Sequence, residues 1–362
     1  MMPTCSSICK KPLLASGGKQ SGMVRLRMGG AVDSNCRVGS DARVMRSVQT
    51  VLGPVPVDQL GLTLMHEHLL IGWPGWQYDV AAPRKSQSEI AKICTDRMLE
   101  LKAYGVQTLV DPCPMDLGRD VELMARVSQD TGVHIICATG LYKEDQGTPP
   151  YFKFRAQFAD ATHEIRDAFV RELTEGVGDT GIKPGLIKAA TGAHQVTPYE
   201  EMVLRAAAQA SCATGVPILT HTDEGTMGRE QLDIFAAEGV ELRHVVIGHS
   251  CGSSDLRYHT DLLDRGCFLG FDRFGLELLQ PDRLRLAALI GLIGVGFAKQ
   301  LMLSHDSVWC WLGRPLPVPE TVLPHWRPTY IFTDILPRLR EAGVSDAKIE
   351  TMLVANPRRF FG

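Results

Sequence analysis

The sequence predicts a single (β/α)8 TIM barrel over residues 47–362. Three observations point to it: eight short apolar runs, helical stretches between them, and chemically capable side chains at the ends of the runs. The runs are LTLMHEH (62–68), QTLVDPC (107–113), HIICATGLY (134–142), GLIKAATG (185–192), PILTHT (217–222), HVVIGHS (244–250), CFLGFDRFG (267–275) and QLMLSHD (300–306). Thr197-Pro-Tyr-Glu200 is a capping box with proline at the first helical position, and the helix it opens closes at Thr214-Gly215. Asp120 to Thr131 ends in the same way at Gly132, and Thr226 to Glu238 ends at Gly239. Strands that alternate with helices form a parallel sheet, and eight of them close it into a barrel. An open doubly wound sheet is the runner-up, but no glycine-rich phosphate fingerprint follows the first strand.

Residues 1–46 stand apart. They are rich in Ser, Gly and basic residues, show no helical or strand period, and read as a disordered leader, with Met45 an alternative start. Over the whole chain of 362 residues, 44% hydrophobic and 22% charged, there is enough apolar material for a full core. The formal net charge is −3 with both signs mixed along the chain, which gives no footprint for nucleic acid. No apolar run reaches the roughly 18 residues that span a bilayer. The ten cysteines are scattered without a CxxC pair, several inside apolar runs, as in a reducing compartment. The expectation is a cytoplasmic protein with a small-molecule substrate and neither nucleic acid nor membrane as partner. Its oligomeric state is open, a homodimer included.

Long connections follow three of the strands, at 69–88, 143–160 and 307–326, and in a barrel they overhang the active-site face. They carry Trp73, Trp76, Tyr78, Tyr151, Phe152, Trp309 and Trp311, which either pack the rim or touch substrate.

The chemistry begins with His66-Glu67-His68. Residues i and i+2 of a strand share a face, so both imidazoles project one way, as a metal chelate does, and Glu67 projects the other. His221 ends the fifth run, His249 the sixth and Asp306 the eighth. One histidine at a strand edge is ordinary packing. Four with an aspartate at the catalytic end of one barrel are hard to explain that way. Lys188 lies among apolar neighbours in LIKAATG, where a protonated amine is costly. A neutral lysine can add carbon dioxide to give a carbamate, an anion able to bridge two cations. Two divalent cations bring four positive charges, which Asp306, a carbamate and a bridging hydroxide nearly offset. A lysine that snorkels to the barrel mouth, or one that forms a Schiff base, is the alternative, although Schiff-base chemistry has no use for four histidines. His194, after the fourth run, is a minor candidate for the same site.

From about Ser47 to Phe361 these elements, in order, resemble the phosphotriesterase-like branch of the amidohydrolase superfamily. The likeness rests on TLMHEH, VDPCPMDLGRD, ATGLY, LIKAATG, VPILTHT, VVIGHS, GFDRFG, LSHD and the terminal NPRRFF. It implies a distorted barrel with two divalent metals, zinc first and cobalt, manganese or iron as alternatives. His66, His68 and Asp306 would hold one metal, His221 and His249 the other, and an N6-carboxylated Lys188 would bridge them. It further implies a hydroxide shared by the metals as nucleophile and Asp306 as proton acceptor.

Family members include phosphotriesterases, lactonases and carboxylesterases. Tyr142 in ATGLY matches a tyrosine that lactonases of the family carry, and Arg273 in GFDRFG borders the substrate, which together favour a lactone or carboxylic ester over a phosphotriester. Asp272 and Arg273 would brace the rim. The segment SVWCWLGRPLPVP after Asp306 and the two tryptophans of GWPGWQYD depart from the family's pattern, and both lie where substrate is chosen. A non-catalytic metal-binding barrel is the reading from another class. A structural metal closes its shell with four protein ligands, whereas these six groups would leave room for water.

Overall fold

The computed structural model describes residues 46–317 and 320–362, so the expected leader lies outside the described residues except for Arg46. Each of the eight apolar runs contains one strand of a single parallel sheet. They are β1 (Leu62–Leu64), β2 (Val106–Asp111), β3 (His134–Gly140), β4 (Leu186–Thr191), β5 (Ile218–Thr222), β6 (Val245–Ile247), β7 (Phe268–Phe271) and β8 (Leu301–Leu303). Strand order follows chain order, and helices cover the connections, so the fold is an eight-stranded, nearly closed TIM-like barrel.

Local signals set the helices as expected. Thr197 and Glu200 form the capping box of Pro198–Thr214, and Asp120 caps Val121–Thr131, with Gly215 and Gly132 left-handed beyond the two ends. The helix foreseen from Thr226 instead spans Gly228–Ala237, because Thr226 bonds back to the Asp223 carbonyl and Met227 turns left-handed. The long connections are more ordered than their sequences suggest. Residues His68–Ile71 pair with Val308–Trp311 as a parallel ribbon above the barrel, and Pro149–Arg155 is a short helix.

Along a strand, alternate side chains point inward, and the interior is stacked in layers. Met65, Val110, Ile136, Leu186, Leu219, Val246, Phe268 and Met302 form an apolar layer, joined by Phe360 and Phe361 of the terminal NPRRFF. Two residues further along their strands from Leu186 and Leu219 come Lys188 and His221. Asp272 and Asp306 lie four beyond Phe268 and Met302. The polar groups therefore occupy the next two positions up the same interior columns. Glycine makes room in it: a Cβ on Gly140 would sit 2.0 Å from the Lys188 carbonyl oxygen, and one on Gly270 2.3 Å from the Asp272 carboxylate.

The barrel closes between β1 and β8 just beyond both strands. The Asp306 amide donates to the His66 carbonyl (2.9 Å), and the His68 amide to that of Ser307 (2.9 Å). Glu67, fully buried, clasps this seam. Its carboxylate accepts from the Ser304 hydroxyl (2.7 Å), the His305 amide (2.8 Å), the Ser307 amide (3.1 Å) and the Ser307 hydroxyl, and lies 2.7 Å from His305 Nδ1. Removing Glu67 leaves the buried donors of Ser304, His305 and Ser307 without their acceptor, at roughly 1–3 kcal/mol each when unsatisfied, so Glu67→Ala should cost about 3–5 kcal/mol. A denaturant midpoint equivalent to less than about 1 kcal/mol of loss, the scale of an ordinary hydrogen bond, would show that other contacts hold the seam.

Candidate active site

The chain bends at His66, between β1 and the ribbon, so the two histidines of HEH are not on one continuous strand. They still face one way. His66 Nε2 and His68 Nε2 lie 3.4 and 3.2 Å from the same oxygen of Asp306, and Glu67 points back into the seam. The donor atoms of His66, His68 and Asp306 fall within 4.8 Å of one another, a spacing one cation can bridge. His249 Nε2 lies 3.7 Å from the second Asp306 oxygen, and the ring of His249 stands 4.6 Å from those of His66 and His221. His249 and Asp306 both have left-handed backbone (φ 57° and 55°), a conformation that costs about 1–3 kcal/mol for such residues and gathers at functional sites.

A carboxylate anchors each imidazole by its other nitrogen. Asp272 holds Nδ1 of His249 (2.9 Å) and of His66 (3.2 Å), Asp111 holds Nδ1 of His68 (3.1 Å), and Asp223 holds Nε2 of His221 (2.7 Å). Asp272 thus anchors two imidazoles rather than bracing the rim. Such anchors fix the tautomer and the direction of the free lone pair. Asp111 and Asp223 went unremarked in the sequence, although Asp111 is the acid within the second apolar run, where it ends β2, and Asp223 follows His221 by two.

Lys188 is buried with no carboxylate in contact. Its Nζ lies 3.4 Å from both His66 Nε2 and the Thr220 carbonyl oxygen, and burial pushes its ammonium down to about 8. Arg273 Nε bonds Asp306 at 2.9 Å, and Tyr142 Oη is 3.4 Å from His221 Nδ1. Burial holds His66 and His249 below the usual imidazole range and His221 at about 3. His68 is raised instead, because Asp111 and Asp306 outweigh its burial. Asp272 and Asp306 stay well below the usual carboxylate range: burial opposes this, but His249, His66 and, for Asp306, Arg273 overcome it. Ionised carboxylates beside three imidazoles that burial keeps neutral, with His68 free to release its proton to an incoming cation, form a donor set that suits divalent cations.

All eight site residues named from the sequence, His66, His68, Tyr142, Lys188, His221, His249, Arg273 and Asp306, line one cavity of about 340 Å³. Its outer wall is apolar: Ile71, Trp73, Leu276, Leu278, Leu279, Val308, Trp311, Leu316, Leu323 and Trp326. Trp76 and Trp309 are not in that wall. His194 is exposed and pairs with Glu224 at 3.2 Å, away from the cavity, because its left-handed backbone turns it onto the outer loop.

The model of the Phosphotriesterase family matches residues 46–361. The chain belongs to that family. A phosphotriesterase homology protein of Mycobacterium tuberculosis is 39% identical over 320 residues, covering 88% of this chain and 98% of the relative. The organophosphorus hydrolase of Deinococcus radiodurans superposes with a TM-score of 0.85 at 42% identity, covering 90% of this chain and all of that one. An organophosphate-hydrolysing protein engineered from a weak promiscuous lactonase template also superposes at 0.85, with 42% identity over 87% of this chain and all of that one. The buried histidine and aspartate groups are those of a metal-dependent hydrolase of this family. Among the described residues no helix is long and apolar enough to cross a membrane.

The pH dependence of the metal-free protein follows from these environments. His66, His221 and His249 take up protons at lower pH than the ordinary imidazole value of 6.5, so the unfolded chain binds more protons as pH falls from about 6.5 toward 3. Stability is therefore lost on acidification over that window. His134 and His259 act in the same sense, and His68 and the buried Asp116 in the opposite one. The melting temperature of chelator-treated protein should be lower at pH 5 than at pH 7; an equal or higher value at pH 5 contradicts this balance.

Proposed function

We propose that the chain is a binuclear metal-dependent hydrolase acting on lactones or activated carboxylic esters. The observation that carries this reading is the convergence, in one apolar-walled cavity, of four imidazoles, Asp306 and a buried Lys188 with Tyr142 and Arg273 beside them. His66, His68 and Asp306 would hold one cation, and His221 and His249 a second. Lys188 suits the bridging position. Its amine, held partly neutral by burial, would attack carbon dioxide, form an N–C bond and release one proton, leaving a carbamate anion. When bound, the cations supply an acidified water and Lewis acidity toward the substrate oxygen.

The chain's own groups do the rest. Asp306, kept ionised by His249, His66 and Arg273, is the acceptor for the proton of the attacking water. Tyr142 is buried, with its phenol pushed well above 10, so it stays a hydroxyl that can donate to a substrate oxygen while its ring packs on Trp73. Arg273 offers the guanidinium nitrogens not engaged by Asp306. The leucines and tryptophans of the outer wall exclude water and seat the apolar part of the substrate.

A phosphotriester is the second reading. Similar proteins bear the names organophosphorus hydrolase and, in Saccharolobus solfataricus, aryldialkylphosphatase, and the apolar wall can seat ester substituents. An acyl lactone and a p-nitrophenyl dialkyl phosphate compared on one preparation should give a kcat/KM that favours the lactone. A triester ahead by tenfold, a transition-state difference of about 1.4 kcal/mol, reverses the assignment. Tyr142→Phe should lower the lactone rate, and an unchanged rate removes the hydroxyl from the mechanism.

The metal centre has its own tests. Elemental analysis of active protein should give close to two metal equivalents per chain, and one or none rejects the binuclear reading. Lys188→Ala should be folded and inactive, with partial recovery in short carboxylic acids that stand in for the bridge; no recovery speaks against a carbamate.

A further inference from the structure

The four imidazoles of the cavity are not anchored alike. His66, His68 and His249 are held at Nδ1 and so present Nε2 to the cavity. The carboxylates that hold them are fixed by backbone amides: His249 N–H donates to Asp272 (2.9 Å), and Leu69 and Cys113 N–H donate to Asp111 (2.9 and 3.0 Å).

His221 differs on both counts. It is held at Nε2 by Asp223, and the Tyr142 hydroxyl sits beside the ring, 3.4 Å from Nδ1 and 3.5 Å from Nε2, so Nδ1 is the nitrogen with no carboxylate on it. Its anchor, Asp223, sits only two residues on and keeps a quarter of its side chain exposed, and among the described residues no backbone amide donates to that carboxylate. What holds it is Lys143, whose ammonium donates to the second oxygen of Asp223 from a side chain that is only 6% exposed. Lys143 follows Tyr142 directly, and its other contact is the exposed Asp145 at 3.3 Å.

We propose that Lys143 is a positioning residue for the metal centre: through Asp223 it keeps the His221 proton on Nε2 and the Nδ1 lone pair toward the cavity. The inference rests on the binuclear reading above. A neutral imidazole has two tautomers, and only the one with its proton on Nε2 can donate to Asp223 while offering Nδ1 to a cation. With Lys143 removed, a carboxylate free of amide contacts can rotate toward solvent, and the ring loses its fixed proton. The His221 and His249 half of the centre then weakens, while the half built on His66, His68 and Asp306, anchored through backbone amides, does not. The connection after β3, which carries Tyr142, is thereby tied to retention of one of the two metals.

The test uses the full chain with Lys143→Met, Asp223→Asn and Lys143→Arg. Metal-free protein is titrated with zinc ion against a competing chelator, and the imidazole nitrogens of the same metal-free samples are read by 15N NMR. Wild type should bind two equivalents. Lys143→Met and Asp223→Asn should keep one at wild-type affinity and hold the other about 10- to 100-fold more weakly, the usual effect of losing such an anchor. Lys143→Arg should restore it. The 15N spectra should show His221 protonated at Nε2 in wild type and a mixture of tautomers in Lys143→Met.

Wild-type affinities for both equivalents together with an unchanged His221 tautomer in Lys143→Met would overturn the proposal. So would equal weakening of both equivalents alongside a lowered melting temperature, the mark of a merely structural lysine. A wild-type stoichiometry of one rejects the binuclear reading instead, and the nitrogen spectra then still decide whether Lys143 sets the ring.

Discussion

The closure of the barrel at the β1–β8 seam is the constraint on which the site depends. The two strands are short and end the strand order on either side, and they are joined only beyond their ends, through the backbones of His66, His68, Asp306 and Ser307. The groups that meet at the putting together of the sheet are thus also the groups that would hold a cation. Glu67 joins the two roles. Its side chain points away from the cavity and binds Ser304, His305 and Ser307, so the turn that aims Asp306 at His66 and His68 is held from behind. The alternation of HEH supplies a chelating face and a structural face within three residues.

Burial then sets the electrostatics. A carboxylate in the interior is costly unless it is hydrogen-bonded, and Asp272 and Asp111 reach that state by accepting from backbone amides and imidazoles together. Each anchor in turn directs the other imidazole nitrogen at the cavity. Asp306 is the exception among the buried acids, because its contacts are with Arg273 and with imidazole nitrogens that themselves face the cavity. That makes it the carboxylate best placed to share charge with an incoming cation and to accept a proton.

Much of this was legible in the sequence, for a physical reason. A barrel strand buried on both faces reads as a continuous apolar run, and a polar residue at its end stands out. His221, His249 and Asp306 stood out in that way, Lys188 as a charge inside an apolar run, and the cavity contains them all. The anchors were harder to see. An aspartate such as Asp111 or Asp223 looks like any loop residue until the fold shows which imidazole it faces. His194 misled for the converse reason: proximity to a strand end says nothing about a backbone that turns left-handed and carries the side chain outward. Order within the long connections was also hidden, because the pairing of His68–Ile71 with Val308–Trp311 joins segments far apart in sequence.

Left-handed backbone at His249 and Asp306 shows how the parts combine. Neither residue has the freedom of glycine, and each conformation costs about 1–3 kcal/mol unless the surroundings enforce it. At His249 the enforcement is Asp272, which takes both the amide and Nδ1; at Asp306 it is the amide bond to His66 across the seam. His249 lies an odd three residues beyond the inward-facing Val246, so there the turn brings inward a side chain that regular alternation would not; Asp306, an even four beyond Met302, keeps to its column. The cavity floor is therefore built from strained positions held by hydrogen bonds, and its wall from the leucines and tryptophans of the overhanging connections. Trp73 and Trp311 of that wall sit in the two segments, GWPGWQYD and SVWCWLGRPLPVP, that depart from the family's pattern.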